Sequence, residues 1–242
     1  MKISVILSAF AIFCFPFSSC NLDDDQFIPS EHITIREEAF SEYNAIEVSG
    51  VFTVYITFSA IEESIKVEAN ENLQPYIEIA KDKDILKIGL TENLNISGTA
   101  KLNIYIITNN IENYMASGTA RFLVEGLIDT DNVGIYLSGA SAFKGSMIAQ
   151  TLRAELSGAS KMDIDGVADY GEMEAGGASV LGDYDFKINK LNINLSGASN
   201  AWFTVLQSID VVASGASNLM YMGTATISSQ DLSGASEVKK EG

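Results

Sequence analysis

The 242-residue chain is predicted to be all-β, chiefly a parallel β-helix (β-solenoid) with coils of about 19 residues and a less regular N-terminal β cap. Three observations carry this. A Ser-Gly-Ala-Ser tetrad recurs through the C-terminal half, the residues flanking each tetrad alternate with period two, and Gly is plentiful at 19 residues while Pro is scarce at 3.

The repeat comes first. Identical tetrads begin at Ser138, Ser157, Ser196, Ser214 and Ser233, and Gly176-Gly177-Ala178-Ser179 differs by one residue. Ser97-Gly98-Thr99-Ala100 and Ser117-Gly118-Thr119-Ala120 read as degenerate copies, so that Ser97 to Ser233 spans 136 residues in seven steps, a mean of 19.4. Counting the first tetrad residue as zero, apolar or small residues recur at minus three and minus one (Ile135 and Leu137, Ala154 and Leu156, Ile193 and Leu195). They recur again at plus five and plus seven (Phe122 and Val124, Met162 and Ile164, Ala201 and Phe203). Two short alternating strands per unit suit one β-solenoid coil, and the unit is too short for a helical hairpin repeat. The invariant glycines, Gly118, Gly139, Gly158, Gly177, Gly197, Gly215 and Gly234, are structural: a bend that needs positive φ or close backbone approach demands Gly in every coil. The serines at zero and plus three are expected to form hydroxyl ladders along the axis.

The N-terminal half is looser. Ala45 to Phe58 alternates as one strand with a buried face, and further strands are expected at Ile65 to Ala69, Ile85 to Leu90 and Leu102 to Ile107, with a turn at Asn70 to Pro75. This half and the polar Glu237 to Gly242 tail are expected to cap the open ends of the solenoid.

The chain opens with an address. Met1 and Lys2 precede an apolar run from Ile3 to Phe17, as in a signal peptide, and the run is shorter than the ~20 residues that span a bilayer. Phe17-Ser18-Ser19-Cys20 resembles the lipobox of bacterial lipoproteins, with Phe17 where Leu is usual. Cys14 falls in the removed segment and no Cys follows Cys20, so Cys20 has no disulfide partner in the mature chain; lipidation at Cys20 accounts for both facts. Asp23, Asp24 and Asp25 resemble the surface-export signal of Bacteroidetes lipoproteins, and a solvated tether is the other reading. The predicted organisation is therefore residues 1–19 signal peptide, 20–38 lipidated tether, 39–110 N-terminal β region and 111–242 repeat β-helix. The expected location is the outer membrane, attached by lipid and exposed at the cell surface.

The chain resembles the auto-transporter adhesin family with a head GIN domain. The resemblance rests on Phe40, the stretch Ile46-Glu47-Val48-Ser49-Gly50-Val51-Phe52-Thr53-Val54, the segment Val67 to Leu73, Leu86-Lys87-Ile88, the tetrads, and Gly166 and Gly223, and it covers roughly residues 40 to 238. It implies a β-helix with an adhesive or surface-binding role, and brings no catalytic residues with it.

Composition narrows the function. Fifteen Lys and Arg stand against 32 Asp and Glu, and the net charge of -17 repels nucleic acid, which excludes it as a partner. The single His (His32), the absence of recurrent cationic residues and the absence of phased acid pairs argue against catalysis. The pairs Asp129/Asp131, Asp163/Asp165 and Asp183/Asp185 share no fixed register, so neither a metal nor any cofactor is expected. Among the aromatics, offsets turn Phe203 and Tyr221 inward and leave Trp202 exposed as a possible ligand contact, where a glycan ring can stack. A non-catalytic surface adhesin meeting a glycan or a host or matrix surface is the leading reading, with a polysaccharide-processing β-helix enzyme and a structural envelope lipoprotein as alternatives.

Overall fold

A computed structural model describes residues 26–92 and 94–242. The predicted signal peptide, Cys20 and Asp23, Asp24 and Asp25 lie outside these residues. The N-terminal part contributes β1 (Ile33–Glu38), β2 (Ala45–Val48), β3 (Thr53–Phe58), β4 (Ser64–Asn70), β5 (Ile77–Asp82), β6 (Ile85–Leu90) and β7 (Leu102–Thr108), with a 3-10 helix at Glu71–Tyr76. The repeats supply β8 (Asn113–Ala116), β9 (Arg121–Asp129), β10 (Asn132–Leu137), β11 (Ala142–Leu156), β12 (Lys161–Ala175), β13 (Val180–Leu181) and β14 (Phe186–Leu195). The last coils add β15 (Asn200–Ala213), β16 (Asn218–Met222), β17 (Thr226–Leu232) and β18 (Glu237–Lys240).

The architecture is the predicted β-solenoid, about seven coils spaced about 19 residues apart. Each coil is a tetrad corner, a first run, a bend and a second run that leads into the next tetrad. Successive coils pair in parallel, so Phe143 lies beside Met162 and Leu156 beside Ala175. Period-two alternation puts one side of every run inside: Phe122, Ile135, Leu137, Ala154, Met162, Ile193 and Phe203 are all buried. Tyr114, Phe122 and Phe143 stack edge to face through three consecutive coils, with centroids 5.6 and 5.0 Å from Tyr114.

The corner explains its glycine. Gly139 has φ +75°, and a Cβ there would fall 2.6 Å from the Gly118 carbonyl oxygen of the coil below. The same close approach lets the N–H of Ala140 donate to Gly118 O at 2.7 Å, a bond repeated from coil to coil up to Ala235 on Gly215 O at 2.6 Å. An alanine would therefore suffer both an unfavourable dihedral and a backbone clash.

Three details depart from the sequence expectations. The column of corners does not begin at Ser97: beneath Gly118 lies Gly50, whose carbonyl accepts from Thr119 N at 2.8 Å. Gly98 has positive φ too, but nothing stands within 4 Å of a Cβ built there, and Ser97 N donates instead to Phe27 O. For the same reason Ala45 to Phe58 is not one strand; Gly50, at φ +97°, turns the corner between β2 and β3. The plus-three serines, finally, do not hydrogen-bond to one another. Ser160, Ser179 and Ser199 donate to the carbonyls of Ser157, Gly176 and Ser196 at 2.7 Å, because the acceptor three residues back closes the same turn.

The first corner sits on a layer formed by β6 under β2 and β7 under β3, both parallel. Antiparallel strands then end the stack: β5 on β6, β4 on β7, and β1 on β4. Buried Asn70 fastens this cap, its amide donating to Ser30 O at 2.7 Å and its carbonyl accepting from Lys101 N at 2.7 Å. At the other end the tail is a strand, β18, paired in parallel with β16.

Candidate functional site

On the first run of each coil the outward residue at plus six forms a column. Register places Leu123, Lys144 and Asp163 in line, and Trp202 beside Met220 further along. The position between Asp163 and Trp202 falls on Gly182, which follows the two-residue strand β13 and carries no side chain; Gly182 N is bonded to Met162 O at 2.9 Å. The result is a cleft of about 300 Å³ with the half-buried Trp202 on one side, Lys161 and Asp163 on the other, and Tyr184 at its margin. Tyr184 is held by two bonds: its carbonyl accepts from Thr204 Oγ1 at 2.7 Å, and its hydroxyl donates to Glu241 Oε2 at 2.7 Å. Burial, together with the Glu241 carboxylate, pushes the Tyr184 phenol up to about 12, so it stays a neutral donor at physiological pH.

The acidic pairs are dispersed and locally engaged. Asp163 faces Lys144 at 3.6 Å, Asp165 accepts from Ser146 at 2.7 Å, and Asp131 accepts from Gln150 at 2.6 Å. Asp183 accepts the Asp185 backbone N–H at 3.3 Å. Among the described residues no three His, Cys, Asp or Glu side chains gather as a metal site. The seven repeat glycines line the corner column and are not among the residues that line the Trp202 cleft.

Sequence offsets turned Trp202 outward but did not show the cleft, which opens at Gly182 just past β13. Two further surface features escaped the sequence reading. Tyr55 and Tyr105 stack on each other on adjacent strands, 4.9 Å apart and 11° from parallel, which covers one face of each ring. Tyr136, in contrast, folds back over Gly134 of its own strand: a Cβ on Gly134 would stand 2.8 Å from the ring. A Gly two residues before an outward aromatic was the available signal.

Among the described residues no helix is long and apolar enough to cross a membrane. Parallel coils and a capped N-terminal end define a β-solenoid. Residues 42–225 match the family described as "Putative auto-transporter adhesin, head GIN domain", and the chain belongs to that family. A structure described as "a putative adhesin" from Bacteroides fragilis is similar with a TM-score of 0.83 at 20% identity, covering 89% of this chain and 100% of its own. Two structures from Parabacteroides distasonis share the fold. One, described as "putative adhesin", has a TM-score of 0.70 at 18% identity; the other, described as "Putative lipid binding protein", has 0.74 at 16%, and each covers 90% of this chain and 100% of its own. Among curated proteins none matches this chain.

Proposed function

We propose that the protein is a non-catalytic surface lipoprotein, anchored through Cys20 and exported by Asp23, Asp24 and Asp25, whose β-helix presents a glycan-binding cleft at Trp202. The observation that supports this best is the cleft itself: an indole facing a Lys161 and Asp163 wall across the gap at Gly182. A sugar ring has an apolar face to stack on the indole and hydroxyls to bond with the carboxylate and the ammonium. Catalysis is disfavoured by the single His and by the lack of an acid pair that recurs at a fixed offset, although Asp163 and Asp183 both line the cleft.

The test is a glycan and matrix-protein array probed with the full-length protein in a nonionic detergent, followed by product analysis on any glycan bound. Binding without turnover that is lost in Trp202→Ala supports the reading. Cleavage that disappears in Asp163→Asn would replace it with an enzyme. Anchoring is tested separately, since Cys20→Ala should release the protein from the membrane fraction, and replacing the three aspartates by Ala should hide a still lipidated protein from protease added to cells.

A further inference from the structure

A trough of about 520 Å³ follows the solenoid axis along the second runs from Glu47 to Ser196. One wall is the outward column two residues before each tetrad, in which Glu47, Met115, Tyr136, Glu155 and Glu174 are successive register neighbours. Beside it run tetrad hydroxyls such as Ser138 and Ser157. The main chain below is already committed between coils, as where Ser138 N donates to Ala116 O and Ser157 N to Leu137 O, each at 2.9 Å. A ligand therefore meets mainly side chains.

The charges in that wall are out of balance. Glu155 and Glu174 stand directly opposite each other on neighbouring strands, an arrangement that costs stability when nothing neutralises it. The nearby cation is Arg153, which is divided between Glu155 at 2.7 Å and Glu172 at 3.5 Å. Among the described residues Glu174 has no basic group within 4.0 Å, and Glu47 reaches Lys87 only at that limit. The next residue of the wall is Tyr136, whose ring lies back over Gly134 and whose register neighbour is Met115. Carboxylates, an aromatic ring and a thioether in one line match the two halves of a Lys or Arg side chain, a cationic head and an apolar stem.

We propose that this trough binds an extended segment of a partner protein bearing lysine or arginine, with its cations on Glu155 and Glu174 and its stems on Tyr136 and Met115. Charge complementarity selects this occupant: an anionic ligand is repelled, and a neutral one leaves Glu174 uncompensated. The site lies on the run opposite the Trp202 cleft in chain order and does not depend on the glycan reading.

The experiment is fluorescence anisotropy of a labelled octapeptide of alternating Lys and Ser with the full-length protein in nonionic detergent at low salt. Glu174→Gln should weaken binding about threefold, as for an exposed ion pair, and Tyr136→Ala by about the same factor through the lost cation–π contact. Glu237→Gln, which removes the same charge from the first-run sheet, should change nothing. Trp202→Ala should also leave the peptide bound, and Tyr136→Ala should leave any array glycan bound, so the two sites fail or stand separately. Equal losses in Glu174→Gln and Glu237→Gln would show attraction to an acidic surface at large and overturn the proposal. An unaffected Tyr136→Ala, or displacement of the peptide by cellohexaose, would overturn it as well, the latter making the trough a glycan groove.

Discussion

From Gly118 to Gly234 one corner returns in every coil, whereas from Gly50 to Gly118 the chain spends 68 residues on a parallel layer without that corner, a 3-10 helix and antiparallel strands before the corner comes back. Both regions feed one continuous core that runs from Tyr43 to Ala225. The repeats reach it by a local rule reapplied at each step, with a positive-φ glycine, a serine that closes its own turn and period-two strands. The cap reaches it through contacts between residues far apart in the chain, such as Asn70 with Ser30 and Lys101. A repeat propagates its own geometry but cannot end it, because the outermost coil always offers unpaired strand edges; ending it takes a different pairing.

The sharpest way to break this contrast is at two glycines with positive φ. Gly139→Ala should lose about 3 kcal/mol, from the left-handed dihedral and the clash with Gly118 O together. Gly98→Ala has open space around its Cβ and should lose only about 1 kcal/mol, the dihedral cost alone. Urea unfolding of both variants decides it, and equal losses would mean that stacking of the corner adds nothing.

Next in size is Asn70→Ala, which strips the cap of two hydrogen bonds to backbone groups and should cost about 2 kcal/mol. Hydrogen exchange should quicken in β1 and β4 while β11 to β15 stay protected. Uniform quickening would show that cap and coils unfold as one unit.

Within the tetrad, Ser199→Ala removes a buried hydroxyl that bonds Ser196 O at 2.7 Å and should cost about 1 kcal/mol. Ser157→Ala, at the exposed zero position, should be neutral within about 0.5 kcal/mol. Reversal of that order would return weight to an axial hydroxyl ladder.

The smallest effect concerns acid. Partial burial of Glu68 opposes its ionisation, but hydrogen bonds from Tyr105, Lys101 and Asn103 outweigh it and hold the carboxyl below its ordinary range. A lowered folded value means that the contact stabilises the cap above the usual carboxylate range and that this contribution fades as pH falls through the lowered value. The thermal midpoint should accordingly decline in acid, and Glu68→Gln should shallow that decline; an identical acid limb in the variant would remove Glu68 from the account.

Much of the repeat half was legible because its determinants are local. Recurrent Gly at plus one and apolar residues at plus five and plus seven state the bend and the buried side within a single unit, and the spacing states the coil. The Ser97 tetrad shows the limit of that legibility, since its composition matches the corner yet Gly50 occupies the place under Gly118. Trp202 was legible as an outward residue, while its cleft needed Gly182 set beside it by register. Tyr136 and Glu174, 38 residues apart in the chain, share a column with Glu155 between them, and the repeat spacing places them there without showing the trough they line.

By itself, then, the sequence determined an all-β solenoid, its coil length and its inward positions, since backbone dihedral and side-chain alternation are decided within a few residues. Tertiary structure alone decided which glycine begins the column, how antiparallel strands close the stack, and which exposed side chains stand together. Those outcomes rest on register, and register is set by the total burial of a whole strand against its neighbour, a quantity that no single stretch of sequence contains.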